Sequence, residues 1–194
     1  MKRDNLHKER MRKFFLEAAL ELVYKKEKLS ARKIGELAGY SYATIYNYFK
    51  DLDELQWFVI DKLFEDIGQE MKKVIEKDDP LEQLINVNKA YIMYFSEHPH
   101  IFRFIYNSDL GSPPKELKEK FNMPTMRVKL NKILDACSDL GYIQKEDIDV
   151  ISDIISTSNR GLISMHVANK NILSRESLIK RSERIIKYLF RGKK

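Results

Sequence analysis

Apolar side chains recur every three or four positions along nearly the whole chain, the spacing of a helix with one buried face. Met11, Phe14, Phe15, Ala18, Leu22 and Val23 keep that step and predict an amphipathic helix over residues 5–25. Ser30 then offers a hydroxyl that can accept a backbone N–H in the first turn of a second helix. Ile34, Leu37 and Ala38 form the narrow apolar stripe of that helix. Gly39 can take the positive φ at which a helix stops, a conformation other residues resist. Ser41 is placed to cap a third helix, in which Ile45 and Phe49 share the packing face. Ala43, Tyr46, Asn47 and Lys50 fall on the opposite arc, with Tyr42 and Thr44 flanking them.

Beyond residue 50 the same period continues. Asp51 or Asp53 caps a helix carrying Leu55, Phe58, Val59, Leu63 and Ile67, which ends before Asp78-Asp79-Pro80. Pro80 suits a first helical turn, where its missing N–H costs nothing. That helix runs through Leu84 and Tyr91 to Phe95 and stops at His98-Pro99. A short helix from Ile101 to Tyr106 precedes a loop over 108–114. Helices over 115–140, 145–169 and 174–191 complete the chain, the first broken at Pro124 and closed by Gly141. No strand pattern or internal repeat interrupts this series, and the predicted class is all-α.

The segment 30–49 carries the most chemistry. Two short helices around a glycine turn form a helix-turn-helix, which places its second helix in the major groove of double-stranded DNA. A helix that turns tyrosines, an asparagine and a lysine outward suits phosphate and base-edge contacts better than packing. Charge agrees. The chain has 35 basic and 29 acidic side chains, and residues 1–50 hold 12 of the basic and 6 of the acidic ones, leaving 23 of each elsewhere. The whole excess of +6 therefore sits with the motif, where it would attract a phosphate backbone.

Other classes fare worse. Four scattered histidines, one cysteine and no glycine-rich phosphate loop give no catalytic constellation and no metal or cofactor site. Cys137 reads as a small core residue, with a redox sensor as the alternative. No apolar run reaches the ~20 residues of a membrane span, and the basic N-terminus lacks the apolar stretch of a signal peptide. A cytoplasmic protein is expected.

Ile34-Gly35-Glu36-Leu37-Ala38-Gly39-Tyr40-Ser41, then Ala43-Thr44-Ile45-Tyr46-Asn47-Tyr48-Phe49, then Asp53-Glu54-Leu55, together resemble the tetracycline-repressor (TetR) family of one-component regulators. Ala18, Ala19 and Leu22 of the first helix add to the match. Three positions depart from the family pattern. Tyr24 to Leu29 form a short connection where a glycine is usual. Leu52 stands where a lysine commonly reaches a phosphate, and Tyr40 replaces a small β-branched residue.

The resemblance implies a DNA-binding domain over 1–52, an effector-binding and dimerisation domain over 53–194, and a homodimer. Carried over by position, Thr44, Tyr46 and Tyr48 would meet phosphates, and Tyr42, Ala43 and Asn47 would face base edges, with the capping Ser41 among the DNA-binding residues. Tyr48 also lies near the packing edge of the helix. Arg32, Lys33 and Lys50 can reach the DNA backbone, while Lys2, Arg3 and Lys8 either follow the minor groove or form a loose end.

An unknown small-molecule effector, apolar or aromatic, is expected among Tyr91, Tyr94, Phe95, Phe102, Tyr106 and Met126, with Met123 and Phe104 near them. Each of these is also an ordinary core residue by type. Asn159 and Arg160 are polar groups in an apolar stretch and need partners if buried, from a ligand or from a dimer contact. Ile151, Ile155, Leu162 and Ile163 on one helix, with Leu178, Ile185 and Leu189 on the next, exceed the needs of one intrachain face and predict the dimer interface. A repressor released by its effector is the expected mode. The alternative is an architectural or protein-interaction factor that binds DNA without an effector; a filled core would favour it, and a dry apolar cavity would oppose it.

Overall fold

The computed structural model describes residues 2–72, 79–122, 125–168 and 173–191, with the side chains of 2–4, 122 and 125 outside the description. Every regular element among the described residues is helical. They are α1 (Lys2–Tyr24), α2 (Ala31–Ala38), α3 (Tyr42–Ile45), α4 (Leu52–Lys72) and α5 (Pro80–Glu97). Then follow α6 (Pro99–Tyr106), α7 (Lys115–Asn122), α8 (Thr125–Asp139), a 3-10 turn (Lys145–Asp147), α9 (Ile148–Ala168) and α10 (Arg175–Leu189).

Most starts and stops follow from local chemistry. Asp51 caps α4, its carboxylate accepting the Glu54 N–H at 2.8 Å. Asp79 caps α5 by accepting the N–H groups of Leu81 and Glu82 at 2.7 and 3.0 Å, with Pro80 in the first turn. The Tyr142 hydroxyl donates to the other oxygen of Asp79 at 2.8 Å. The backbone N–H of Glu82, then the Tyr142 hydroxyl, hold this carboxyl below its usual range. Gly141 takes φ +75° just after α8. His98 caps the end of α5 without opening a loop, since α6 begins at Pro99 itself. Pro124, the expected break, lies outside the described residues.

Packing gathers the chain into two compact units, Met1–Phe64 with His100–Asn122, and Glu65–Pro99 with Met123–Lys194. The division falls within α4. In the first unit Phe15, Ala19, Ile34, Ile45, Leu55, Val59 and Leu63 are fully buried. Burying a large aliphatic or aromatic side chain contributes about 1.5–3 kcal/mol, so these few residues hold α1 to α4 together. The second unit is centred on Leu84, Leu134, Cys137, Ile143, Ile155 and Ile186. Burial pushes the Cys137 thiol up to about 12, which keeps it protonated and unreactive and favours the core reading over a redox sensor.

A polar chain crosses this second core. The Asn159 amide donates to Asn88 Oδ1, the Ser182 hydroxyl donates to Asn159 Oδ1 at 2.7 Å, and Asn88 donates to the Leu84 carbonyl at 2.7 Å. It ties α5, α9 and α10 at one level.

Candidate nucleic-acid interface

The helix-turn-helix is built by three local devices. The Ser30 hydroxyl accepts the Lys33 N–H at 3.3 Å and starts α2. Gly39, at φ +72°, ends it: Tyr40 N–H bonds back to the Gly35 carbonyl at 2.9 Å and Gly39 N–H to Glu36, the paired closure that a left-handed residue allows. The chain then returns so tightly that a Cβ on Gly35 would stand 2.7 Å from the Tyr40 carbonyl oxygen and 3.0 Å from the Tyr42 nitrogen. Gly35 is a requirement of close approach, as Gly39 is of backbone conformation.

The third helix is shorter than its sequence pattern suggests. Its α-helical part spans Tyr42–Ile45, and residues 46–48 continue as turns closed by bonds three residues apart, Tyr46 to Ala43, Asn47 to Thr44 and Tyr48 to Ile45. Ser41 occupies the capping position, yet its hydroxyl pairs with the Thr44 hydroxyl at 2.9 Å and caps no backbone N–H. Ile45 and Phe49, 0% and 2% exposed, anchor the segment. Tyr42 and Tyr46 stand 61% and 46% exposed, with Ser41, Ala43 and Asn47 also outward and Thr44 half-buried.

Tyr48 is half-buried. Its ring lies 5.8 Å from Phe15 and its hydroxyl 3.5 Å from His7 Nε2, a packing position at the edge of the outward arc. Tyr40 leans edge-on against Phe14 and Phe15 at 6.0 and 5.7 Å, which is how the turn accommodates a ring.

The expected backbone cations are engaged within the chain. Arg32 pairs with Glu36 at 2.8 Å, Lys33 with Glu27 at 2.7 Å, and Lys50 approaches Asp51 at 3.6 Å. Lys33 also draws the Glu27 carboxyl below its usual range. These exposed pairs are worth little individually, and a phosphate would exchange for the carboxylate at small cost. The basic start of the chain is not a loose arm, because α1 begins at Lys2 and carries exposed Lys8; the side chains of Lys2 and Arg3 lie outside the described residues.

The residues expected around an effector divide between the two units. In the second, Phe95 is fully buried with Tyr91 and Tyr94 at 4.8 and 5.4 Å, and burial, then Asp66 and Glu70, pushes the Tyr94 hydroxyl up to about 12. Met126 is half-buried there. Asn159 is committed at both ends of its amide to the polar chain described above, so it is not a waiting ligand contact. In the first unit the rings of Phe102 and Tyr106 lie 4.9 Å apart, tilted to each other, and Tyr106 continues through Phe64 and Phe121 to Trp57, whose indole donates to the Gly111 carbonyl at 3.1 Å. Trp57, Phe64 and Phe121 escaped the sequence reading because they come together only when α4 and α7 pack. Met123 lies outside the described residues.

The apolar faces of α9 and α10 also differ from expectation. Ile151, Ile155, Ile163 and Leu178 face inward at 0–6% exposure, in the unit's own core. Leu162, Ile185 and Leu189 are half-buried. Val150, Ile154, Met165 and Tyr188 are the large apolar side chains left outward. An open groove of about 460 Å³ runs along Ile154, Ile185, Tyr188 and Leu189, bounded by Arg184 and Arg191. α9 is apolar on both sides, and periodicity alone does not say which is inside.

No family model and no curated protein matches the chain. Solved structures do. RolR in complex with resorcinol superposes over 98% of both chains with a TM-score of 0.75 at 18% identity. FadR from Bacillus subtilis, in complex with stearoyl-CoA, covers 92% of this chain and 97% of its own at 0.70 and 20%. A TetR transcriptional regulator from Rhodococcus covers 95% and 98% at 0.65 and 17%. The fold is that of the TetR-type regulators. In the TetR-type fold of this chain, described residues include no helix long and apolar enough to cross a membrane, and no group of three His, Cys, Asp or Glu side chains placed to hold a metal ion.

Proposed function

We propose that the chain is a TetR-like one-component transcriptional regulator whose residues 1–52 bind DNA and whose residues 53–194 bind an effector and a second copy. The observation that carries the reading is the division of labour in 41–49. Ile45 and Phe49 hold the segment, while Tyr42, Ala43, Tyr46 and Asn47 are outward on a turn that only Gly35 and Gly39 permit. On this reading Ser41, Thr44 and Tyr46 meet phosphates, with Arg32, Lys33 and Lys50 joining by releasing their carboxylates. Tyr42, Ala43 and Asn47 face base edges. Tyr48 braces the turn from behind.

The outward face of α9 and α10 supports a homodimer, since Val150, Ile154, Met165 and Tyr188 gain by being covered. A two-fold dimer would present two recognition turns about 34–36 Å apart to a pseudo-palindromic operator. The aromatic clusters around Tyr91 and Tyr106 support an apolar or aromatic effector. Such a ligand releases DNA only through its differential affinity for the spacing that does not fit. Repression relieved by the effector, in the cytoplasm, is the mode we propose.

The test is binding to the DNA upstream of the protein's own gene, with random duplex as control, across a salt series. Preference for the upstream fragment that survives at physiological salt is expected. Equal and steeply salt-dependent binding to both would overturn the reading of a sequence-specific regulator.

A further inference from the structure

Two contacts within the first unit mark the flank of α1 that borders the recognition turn. His7 stands against Tyr48, the ring centroids 6.5 Å apart and His7 Nε2 3.5 Å from the tyrosine hydroxyl. Phe14, two turns further along α1, meets Tyr40 edge-on at 6.0 Å. Tyr40 and Tyr48 bound the segment 41–47 at its two ends, so α1 runs alongside that segment from His7 to Phe14. Both of these α1 side chains are exposed, and the flank they mark is open to solvent.

Arg10 lies between them along the helix. Three residues after His7 and four before Phe14, it sits about 60° and 40° round the axis from them, on the solvent side. Its side chain is exposed and makes no ion pair among the described residues. The reason is local. Its neighbours one turn away are Leu6, His7, Lys13 and Phe14, and none is a carboxylate, so α1 offers it no partner at helical spacing. Other cations of the unit are engaged. Lys13 has Glu17 at 3.8 Å, Arg32 has Glu36 and Lys33 has Glu27. Arg12 turns away from Arg10, over the rings of Phe49 and Phe58, and pairs with Glu54 and Glu116 together. A paired cation gains from a phosphate only the difference between two anions. An unpaired guanidinium brings its whole fork of donors, which matches phosphate oxygens two at a time.

We infer that Arg10 is a DNA-backbone contact, donating to a phosphodiester at the edge of the groove that residues 42–47 enter. This rests on the reading of that segment as the recognition turn. His7 and Phe14 hold the flank of α1 against the turn, and so fix where Arg10 reaches relative to Tyr42 and Asn47. The contact carries no base information and strengthens binding to every sequence alike.

The experiment uses the full chain and follows log K against log salt concentration on the upstream and random duplexes. R10Q loses no internal partner and should keep the helical spectrum. It should lower the slope by about 0.9 for each copy bound, equally on both duplexes, and weaken binding about fivefold per copy at 0.15 M salt. R10K retains the charge and should keep the slope. K25Q is the charge-matched control: Lys25 pairs with Glu21 just past the end of α1, about 22 Å along the axis from Arg10 and well beyond the ~8 Å reach of a charge at that salt. Its slope should equal that of the unaltered protein. An unchanged slope in R10Q would overturn the inference and leave the regulator reading standing. Equal losses in R10Q and K25Q would also overturn it, since net charge alone would then account for both. If the unaltered protein binds both duplexes equally, the sequence-specific reading fails, and the R10Q slope on random DNA still decides the role of Arg10. No binding to either duplex would overturn both.

Discussion

Replacing Asn159 with leucine tests whether the polar chain through the second core acts as one unit. Asn159 is 4% exposed and satisfies two groups at once, Asn88 Oδ1 and the Ser182 hydroxyl, themselves 5% and 3% exposed by residue. Leucine has a similar size and no polar atom, so the substitution orphans both partners and creates little void. A buried polar group left without a partner costs about 1–3 kcal/mol. Ser182 falls at the low end, because its hydroxyl can turn to the carbonyl four residues back in α10. N159L should therefore cost about 2–4 kcal/mol, a fall in Tm of roughly 5–15 °C for a chain of this length. S182A alone removes one donor from Asn159 and should cost about 1 kcal/mol. In the N159L background the same change removes an orphaned hydroxyl and should cost nothing. Urea unfolding of the four proteins at one concentration, with m-values compared, gives the coupling directly. If S182A costs the same in both backgrounds to within about 0.5 kcal/mol, the three side chains do not form a connected chain, and the reasoning fails.

Four further outcomes follow from the geometry. G35A should lower stability by about 1–2 kcal/mol, since the strain of a Cβ 2.7 Å from a backbone oxygen exceeds the helix-propensity gain of alanine; a raised Tm would contradict it. Tyr46→Ala should weaken binding to every duplex alike, while Asn47→Ala should lose about 1–3 kcal/mol of discrimination at one base pair, read by competition among operator variants. The depressed Asp79 carboxyl stabilises the fold above its unfolded value, and that contribution disappears as pH falls through its lower folded value. D79N keeps a capping side chain, and its stability should vary less with pH between about 5 and 2 in acid titrations followed by circular dichroism. I154E, at a position 38% exposed, should leave the helical spectrum unchanged and shift sedimentation at micromolar concentration from dimer to monomer.

What could be read from the sequence was local. Ser30, Gly39, Asp51 and Pro80 each act on their own turn of helix, so the ends of α2 and the starts of α4 and α5 were legible from residue type. The early end of α3 was not, because Tyr46, Asn47 and Tyr48 are weak helix formers whose fate is settled by how Ile45 and Phe49 are anchored. Tyr48 showed its packing side only once Phe15 and His7 were brought beside it from α1. Arg12, Trp57 and Asn159 draw their meaning from partners 23 to 104 residues away in the chain, a kind of information no periodicity carries. Which apolar face of α9 turns inward was illegible for a related reason, since both are apolar and only α5, α8 and α10 decide which is covered.

The separation between anchors and outward side chains in the recognition turn has a bearing on how such a protein diversifies. Ile45 and Phe49 specify where the turn sits, and neither needs to be touched to change Tyr42, Ala43 or Asn47. With α3 only one turn long, those outward positions have almost no helix of their own to stabilise. New lettering can be tried there at little thermodynamic risk, one position at a time, while Gly35 and Gly39 keep the frame in register. If the proposed base-edge role of 42, 43 and 47 holds, a small set of substitutions there is the natural library for redirecting this chain to a different sequence.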